Sequence, residues 1–213
     1  MQRPGLRFVP LLGVAFVVLV VVGFLVAGDT PDVKALGAKV RSDYDDETKH
    51  QVSAYLVALG AVAFLFFGSY WRSLLGRLHP TSRTSARAAQ AGVIVAATGL
   101  GVSSLIHSAL AEGANKVSFS DPALQALNAL DNWSFYPFAL GFSTFALASG
   151  VALLRGRRLF PSWIAWTAVV LGLLGLTPIA GFFAALALAV WVIVVSLMAF
   201  SRFDALETMA PAA

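Results

Sequence analysis

Two ionisable residues, His107 and Asp131, carry the side chains through which this chain could share a proton or bind a ligand. Each stands at the end of a stripe of small or polar residues that recurs at steps of three and four, which is one face of a helix. One stripe comprises Ala88, Gly92, Ala96, Gly99, Ser103 and His107. The other comprises Asp131, Ser134, Pro137, Gly141, Thr144 and Ala148. Because small and polar faces pack closely in apolar surroundings, the stripes predict a helix contact that brings His107 near Asp131.

The residues around this pair make up the predicted site. The candidate ligand-binding residues are His107, Asp131, Ser103, Ser134 and Tyr136. The candidate helix-packing residues are Gly92, Ala96, Gly99, Gly141 and Thr144. Ionisable residues inside a membrane are costly and therefore indicate function. Near the interface that cost falls, so a structural His–Asp hydrogen bond, or exposure of both side chains to water, is the plainer interpretation.

Other chemistry finds little support in the sequence. The absence of cysteine excludes disulfides, thiolate metal sites and a cysteine nucleophile. The three histidines lack metal-ligand spacing, and no phosphate-binding glycine loop, H-E-x-x-H or G-x-S-x-G motif occurs. Serines near His107 carry no mark of an activated nucleophile. The sequence therefore predicts no catalytic residue, no metal and no cofactor.

The composition is that of a membrane protein. Hydrophobic residues make up 58% of the chain and charged residues 12%, whereas a soluble domain is about 25% charged. The net charge of +4 comes mostly from arginines at the ends of apolar segments, which argues against nucleic-acid binding. We therefore predict an all-α membrane protein that crosses the bilayer several times.

Six transmembrane helices in one bundle, forming a single domain over residues 1–213, follow from the apolar segments. They lie at about 8–28, 50–71, 88–110, 133–154, 160–176 and 182–201. The uncharged stretch from Leu159 to Ser201 would form a helix of about 65 Å, twice the roughly 30 Å hydrocarbon core, so it must fold back at 177–181. The first segment is longer than the apolar region of a signal peptide, which predicts a retained helix.

Short amphipathic helices are predicted in the first and second outer loops. In the first loop, Thr30-Pro31-Asp32 resembles a helix start, and an apolar stripe follows at Val33, Leu36, Val40 and Tyr44. In the second, Asp121-Pro122 resembles a cap and first turn, followed by Leu124, Leu127 and Leu130.

The arginines predict the orientation. Arg3, Arg7, Arg202 and the clusters at 72–87 and 155–158 all fall on one side, whereas acidic residues outnumber basic ones in the two long loops on the other. Arginine in short loops stays in the cytoplasm. Both termini are therefore predicted to be cytoplasmic.

Three segments carry a resemblance to known proteins. They are YDDETKHQVSAYLVAL at 44–59, LNALDN at 127–132 and LFPSWIAW at 159–166. On these segments the chain resembles a broad family of six-helix integral membrane proteins of unknown function from high-GC bacteria, although Ser162 stands where a basic residue is expected. The resemblance implies a six-helix topology in the bacterial inner membrane and implies no activity.

Three functions remain open. The first is a bundle with an outward-facing polar site that binds a small apolar or lipid-like ligand or assists a membrane complex, with membrane lipids and no nucleic acid as its partners. The second is a small transporter or proton-coupled carrier. Transporters usually contain broken helices and buried polar groups, and the middles of the first, fifth and sixth segments are nearly featureless. The third is a membrane-embedded enzyme.

Overall fold

The computed structural model describes residues 4–78, 82–156, 160–177 and 180–203, and they form an all-helical fold without strands. The all-α class that the sequence predicts is thereby confirmed. A 3-10 helix, Pro4–Leu11, leads into the first of eight α-helices in these residues. They are α1 Leu12–Ala27, α2 Gly37–Asp43, α3 Glu47–Leu78, α4 Arg83–Asn115, α5 Asp121–Trp133, α6 Phe135–Arg155, α7 Ser162–Gly175 and α8 Gly181–Ser201.

Five stretches of the described residues are helical, long and apolar enough to cross a membrane. They are Arg7–Ala27, Glu47–Leu78, Arg83–Asn115, Asp121–Arg155 and Gly181–Ser201. The predicted fifth span, near 160–176, corresponds to α7, a shorter apolar helix of 14 residues. At 1.5 Å per residue it measures about 21 Å, less than the roughly 30 Å of a hydrocarbon core. The predicted turn includes residues 178 and 179, which lie outside the described residues.

An aromatic core fills the middle of the bundle. Phe16 of α1 stacks on Phe64 of α3 at a centroid distance of 4.3 Å, and Phe145 of α6 meets the same ring edge-on at 5.3 Å. Below them Trp71 donates from Nε1 to Ser149 Oγ at 3.0 Å. All five side chains are 2% exposed or less. The middle of the described bundle is therefore closely packed with aromatic rings.

Helices α4 and α6 approach each other through glycine. A Cβ atom on Gly99 would lie 2.5 Å from the backbone nitrogen of Phe138, and one on Gly141 would collide with the backbone of Ala96. Gly92 is equally close to α6. Since contacts below 3 Å are forbidden to real Cβ atoms, only glycine fits at these positions.

Thr144 is a correction to the predicted packing face. Its side chain is exposed, and Oγ1 donates to the carbonyl of Leu140 at 2.8 Å. The predicted stripe contains three steps of three residues and so advances by fewer residues per turn than an α-helix, which puts Pro137 and Thr144 on the exposed side. The buried face of α6 instead comprises Phe138, Gly141, Phe142, Phe145 and Ser149.

The first predicted loop helix begins later than its sequence signals. Residues 30–36 are not helical, and Asp32 Oδ1 accepts a hydrogen bond from the amide of Lys34 at 2.8 Å, which forms a local turn instead of a helix cap. Helix α2 begins at Gly37, leaving Leu36 70% exposed, outside the buried stripe. Before α5 the N-cap is Ser120, so Asp121 lies in the first turn.

Helices α2 and α5 pack together over one end of the bundle, which we call the α2/α5 end. Arg41 of α2 donates to the carbonyls of Ala114 and Phe119, at 3.1 and 2.5 Å. Asn128 of α5 donates to the carbonyl of Asp32 at 2.8 Å. A small apolar core beneath them comprises Val40, Tyr44, Leu110, Ala111, Ala114 and Leu124. These contacts hold both helices against the end of α4.

Candidate functional site

Four side chains form a hydrogen-bonded group at the α2/α5 end: Tyr44, His50, His107 and Asp131, here called the His–Tyr–Asp cluster. His107 Nδ1 lies 3.3 Å from Asp131 Oδ2 and 3.2 Å from the Tyr44 hydroxyl. That hydroxyl lies 3.1 Å from Asp131 Oδ2, to which it can donate. His107 Nε2 lies 3.1 Å from His50 Nδ1. Each of the four side chains is at most about a tenth exposed.

Each member of the cluster comes from a different segment. Tyr44 follows α2, His50 lies in the first turns of α3, His107 lies near the end of α4, and Asp131 lies in the last turn of α5. The ring of Tyr44 stacks on that of His50 at a centroid distance of 4.3 Å, and Asn115 donates to the Tyr44 carbonyl at 2.7 Å. The cluster therefore exists only when α2 and α5 are docked on the bundle.

A backbone carbonyl determines where the histidine protons lie. His50 Nε2 is 3.1 Å from the carbonyl oxygen of Asp43, which can only accept, so Nε2 carries a hydrogen. In a neutral His50 the other nitrogen, Nδ1, is then an acceptor. His107 must therefore donate from Nε2, which leaves its Nδ1 facing Asp131 and Tyr44.

The triangle of His107 Nδ1, Asp131 Oδ2 and the Tyr44 hydroxyl has room for one extra proton. Without it, the nitrogen and the carboxylate are both acceptors, and the single Tyr44 proton can satisfy one of them. With it, either an imidazolium–carboxylate or an imidazole–carboxylic acid pair satisfies every group. Burial, reinforced by Asp131, raises the pKa of Tyr44 far above its usual range, so its hydroxyl stays protonated. The exchangeable proton therefore belongs to the His107–Asp131 pair.

A cavity of about 190 Å³ opens beside this pair. Its lining comprises Phe24, Thr30, Ser53, Ala54, Val57, Ser103, Ser104, His107, Asp131, Asn132 and Phe135. Two of its hydroxyls already donate to helix carbonyls: Ser53 to Gly23 and Ser104 to Leu100, both at 2.8 Å. Their oxygens remain free to accept. Asp131 Oδ1 receives no hydrogen bond from any residue in the described ranges.

An apolar groove of about 300 Å³ adjoins the cavity. Phe24 and Phe135 belong to both linings, so the two spaces lie next to each other. The rest of the groove is formed by apolar residues of α1, α6 and α8, among them Val17, Val21, Phe138, Phe182 and Leu186. A polar cavity and an apolar groove are thus neighbours at this part of the bundle.

The structure brings most of the predicted site residues together. His107, Asp131 and Ser103 line the cavity. Ser134 lies behind them, donating from Oγ to the carbonyl of Asp131 at 2.7 Å and standing 2.9 Å from Ser103 Oγ. These residues form one continuous polar wall.

Tyr136, also predicted as a site residue, does not belong to this wall. It is 43% exposed and stacks on Trp133 at 5.2 Å, and it is absent from the cavity lining. Ser134 has helical dihedral angles, so Phe135 lies about one turn after Asp131 on the cavity side, and Tyr136 lies about 100° further around the helix. Tyr136, the next residue, consequently points away from His107.

Sequence reasoning misses Tyr44 and His50. Tyr44 falls in an apolar stripe, and His50 has no metal-ligand spacing to the other histidines. A buried tyrosine hydroxyl requires a hydrogen-bond partner, and His50 begins an apolar helix at the same end as His107. These two facts are signals for a polar cluster.

Metal binding and nucleophilic catalysis gain no support from this geometry. Within the residues that the structure describes, no group of three or more His, Cys, Asp or Glu side chains could hold a metal ion. His50 and His107 bond directly to each other. In the same residues Ser104 donates to a carbonyl of its own helix, and no serine hydroxyl bonds to His107.

No family model, curated protein or solved structure matches this chain. The fold and the site therefore define its class by themselves. It is an all-helical protein whose described residues contain five helical stretches apolar enough to cross a membrane, with a buried His–Tyr–Asp cluster beside a cavity at one end.

Proposed function

We propose that this is a multi-pass protein of the bacterial inner membrane whose cavity binds a small amphipathic, lipid-like ligand from the outer side. The observation that carries the proposal is that Phe24 and Phe135 line both the polar cavity and the apolar groove. Binding sites for small molecules combine an apolar lining with a few placed polar groups. A ligand with a polar head and a single apolar chain matches this shape.

Six crossings complete the proposed topology, with α7 as a short sixth span. Thinning of the bilayer around a short helix costs only a fraction of a kcal/mol per Å, roughly. Phe8 near the start of the chain lies 6.0 Å from Phe200 near its end, which supports both termini on one side. Arg72, Arg77, Arg83 and Arg155 lie toward the ends of their helices away from α2 and α5. The positive-inside rule then places the termini in the cytoplasm and the cavity outside.

Cysteine labelling tests this orientation, because the natural chain contains no cysteine. Lys39→Cys and Lys116→Cys, whose side chains are 63% and 67% exposed, should react with a membrane-impermeant maleimide in intact cells. Arg83→Cys, at the opposite end of α4, should react only after the cells are opened. Labelling of the Arg83 position alone in intact cells would invert the proposed orientation.

The closely packed interior of the bundle favours a ligand-binding function over a transport function. A carrier must open its site alternately to both sides. Here Phe64, Phe67 and Trp71 are 0% exposed between the cavity and the far end of α3. A polar solute would have to displace this aromatic core, whereas a ligand in the cavity and groove would not.

Photocrosslinking tests the binding site directly. The purified protein in lipid nanodiscs would be exposed to a monoacylglycerol whose single chain carries a diazirine. We expect crosslinks on peptides that contain Phe24 and Phe135. Thr30→Trp, which places a bulky ring at the exposed rim of the cavity, should reduce them about tenfold, a change of about 1.4 kcal/mol in binding free energy.

Leu36→Trp is the matched control, because Leu36 is exposed near the same end but does not line the cavity. It should crosslink as the natural protein does. Crosslinks spread evenly over the outer faces of the helices, with equal yields in both variants, would show that the probe samples bulk lipid and would reject the proposed site.

A further inference from the structure

We propose that the ligand is a single-chain amphipathic amine, bound as its ammonium ion, and that its binding releases one proton from the His107–Asp131 pair. This inference rests on the proposed function and assigns the chemistry of the head group. Three observations carry it: the unpaired acceptors in the cavity, the shared proton of the pair, and the position of Tyr44 between its two members.

Several unpaired polar atoms of the cavity are acceptors. Asp131 Oδ1 has no hydrogen-bond partner in the described part of the chain. The hydroxyls of Ser53 and Ser104 donate to backbone carbonyls, so their oxygens can only accept further hydrogen bonds. No lysine or arginine is among the described residues that line the cavity. An ammonium group supplies three donors and no acceptor, which complements this wall. A phosphate or carboxylate head group would meet lone pairs and a carboxylate instead.

Charge balance connects the ammonium to the proton. With the shared proton present, His107 and Asp131 together are neutral, and an ammonium beside them would leave one unbalanced positive charge in a nearly enclosed site. Uncompensated charge in such a place is expensive. Loss of the proton from His107 Nδ1 to water leaves neutral imidazole and a carboxylate, and the ammonium then pairs with that carboxylate. One cation enters and one proton leaves, so the charge of the site is unchanged.

The Tyr44 hydroxyl can change its hydrogen-bond acceptor during this exchange while its ring stays in place. Its oxygen lies 3.1 Å from Asp131 Oδ2 and 3.2 Å from His107 Nδ1, so rotation of the O–H bond redirects its proton from one to the other. When Nδ1 loses its proton it becomes an acceptor for Tyr44, while the ammonium replaces the lost donor on Asp131. His107 keeps its Nε2 proton on His50, which the Asp43 carbonyl holds in one tautomer.

The other charged groups around the cluster do not contact the pair. They are Asp43, Asp46, Glu47, Lys49, Glu112 and Lys116, which lie on or beside α2, α3 and α4. Lys116 binds Glu47 at 2.6 Å, and Asp43 pairs with Lys39. Among the described residues, Asp131 is the carboxylate within hydrogen-bonding distance of His107. Besides Asp131, the titratable groups in contact with His107 are Tyr44, and His50, whose Nε2 hydrogen faces the Asp43 carbonyl.

The test uses three probes with the same twelve-carbon chain: dodecylamine, glycerol monolaurate and dodecanoate. Each competes with the photoreactive monoacylglycerol for the protein in nanodiscs between pH 5 and 8, the range in which histidine titrates. Because binding releases a proton, the affinity for dodecylamine should rise by up to about tenfold per pH unit and level off where the pair no longer holds the extra proton. Glycerol monolaurate should compete equally at every pH, and dodecanoate least. In weakly buffered solution below this plateau, dodecylamine should release up to one proton per molecule bound.

Three variants separate the roles of the residues. His107→Gln should bind dodecylamine without pH dependence or proton release. Asp131→Asn should lose the preference for the amine and retain binding of glycerol monolaurate, which also reports that the cavity is intact. Glu112→Gln removes an exposed carboxylate from the same helix as His107 and should change neither property.

Two results on the natural protein would overturn the inference while leaving the proposed function intact. They are competition by dodecylamine that does not vary with pH, and competition by the amine at pH 8 that is no stronger than by glycerol monolaurate. If none of the three probes competes at the cavity, the proposed function itself fails and the inference fails with it.

Discussion

Replacing Gly99 by leucine should lower the free energy of unfolding by about 3 kcal/mol or more, at the upper end of the range for overpacked cores. A Cβ atom there would lie 2.5 Å from the nitrogen of Phe138 and 2.9 Å from the carbonyl carbon of Pro137. Both are backbone atoms, so the clash cannot be relieved by a change of rotamer. Helices α4 and α6 must separate, and the cavity wall formed by Ser103 and Ser134 must open with them.

Gly101→Leu provides the matched control for this prediction. Gly101 lies two positions further along α4, and a Cβ atom on it would have no atom of a neighbouring helix within 4 Å. The same substitution there should change stability by no more than about 0.5 kcal/mol, or should stabilise the helix. Thermal or denaturant unfolding of both variants in the same nanodiscs gives the comparison. Equal losses would show that α4 and α6 do not meet along the glycine seam.

Asp131→Ala should destabilise the protein by about 3 kcal/mol, because removal of one partner from a buried pair leaves the other uncompensated. The Tyr44 hydroxyl would lose an acceptor, and an imidazolium at His107 would lose its counter-ion. Asp131→Asn keeps an acceptor for Tyr44 and should cost less. The loss of stability should appear in unfolding measurements. It should also appear as faster hydrogen exchange of the backbone amides in α2 and α5.

Asp45→Ala is the control for the carboxylate. Asp45 is exposed beside the cluster and makes no hydrogen bond or ion pair within the described residues, so its loss should change stability by about 0.5 kcal/mol or less. If Asp131→Ala proves equally harmless, the His107–Asp131 contact contributes nothing to the fold and the cluster loses its structural basis.

The sequence could predict the helical class and the approach of α4 to α6 because both depend on local patterns. Apolar runs of membrane length define helices by composition. Gly92 and Gly99 recur on one face of α4, which leaves room for a partner helix. The same pattern placed His107 and Asp131 at neighbouring helix ends.

The remaining features depend on contacts between distant segments. Helix α6 turns Phe138, Phe142 and Phe145 toward the aromatic core, which leaves Thr144 and Tyr136 exposed. Tyr44 looks like one more member of an apolar stripe until its hydroxyl meets Asp131. The start of α2 at Gly37 follows from a side-chain turn at Asp32 that competes with the expected helix start. Periodicity in a single segment carries none of this information.

In the proposed complex, Asp131 Oδ1 binds the cationic head group of the ligand, and the apolar groove holds its alkyl chain. An experimental structure of the protein in nanodiscs with dodecylamine, determined near pH 8, tests this claim most directly. We predict the amine nitrogen within hydrogen-bonding distance of Asp131 Oδ1 and the alkyl chain passing between Phe24 and Phe135. An amine bound elsewhere, with a cavity that holds only water, would contradict it.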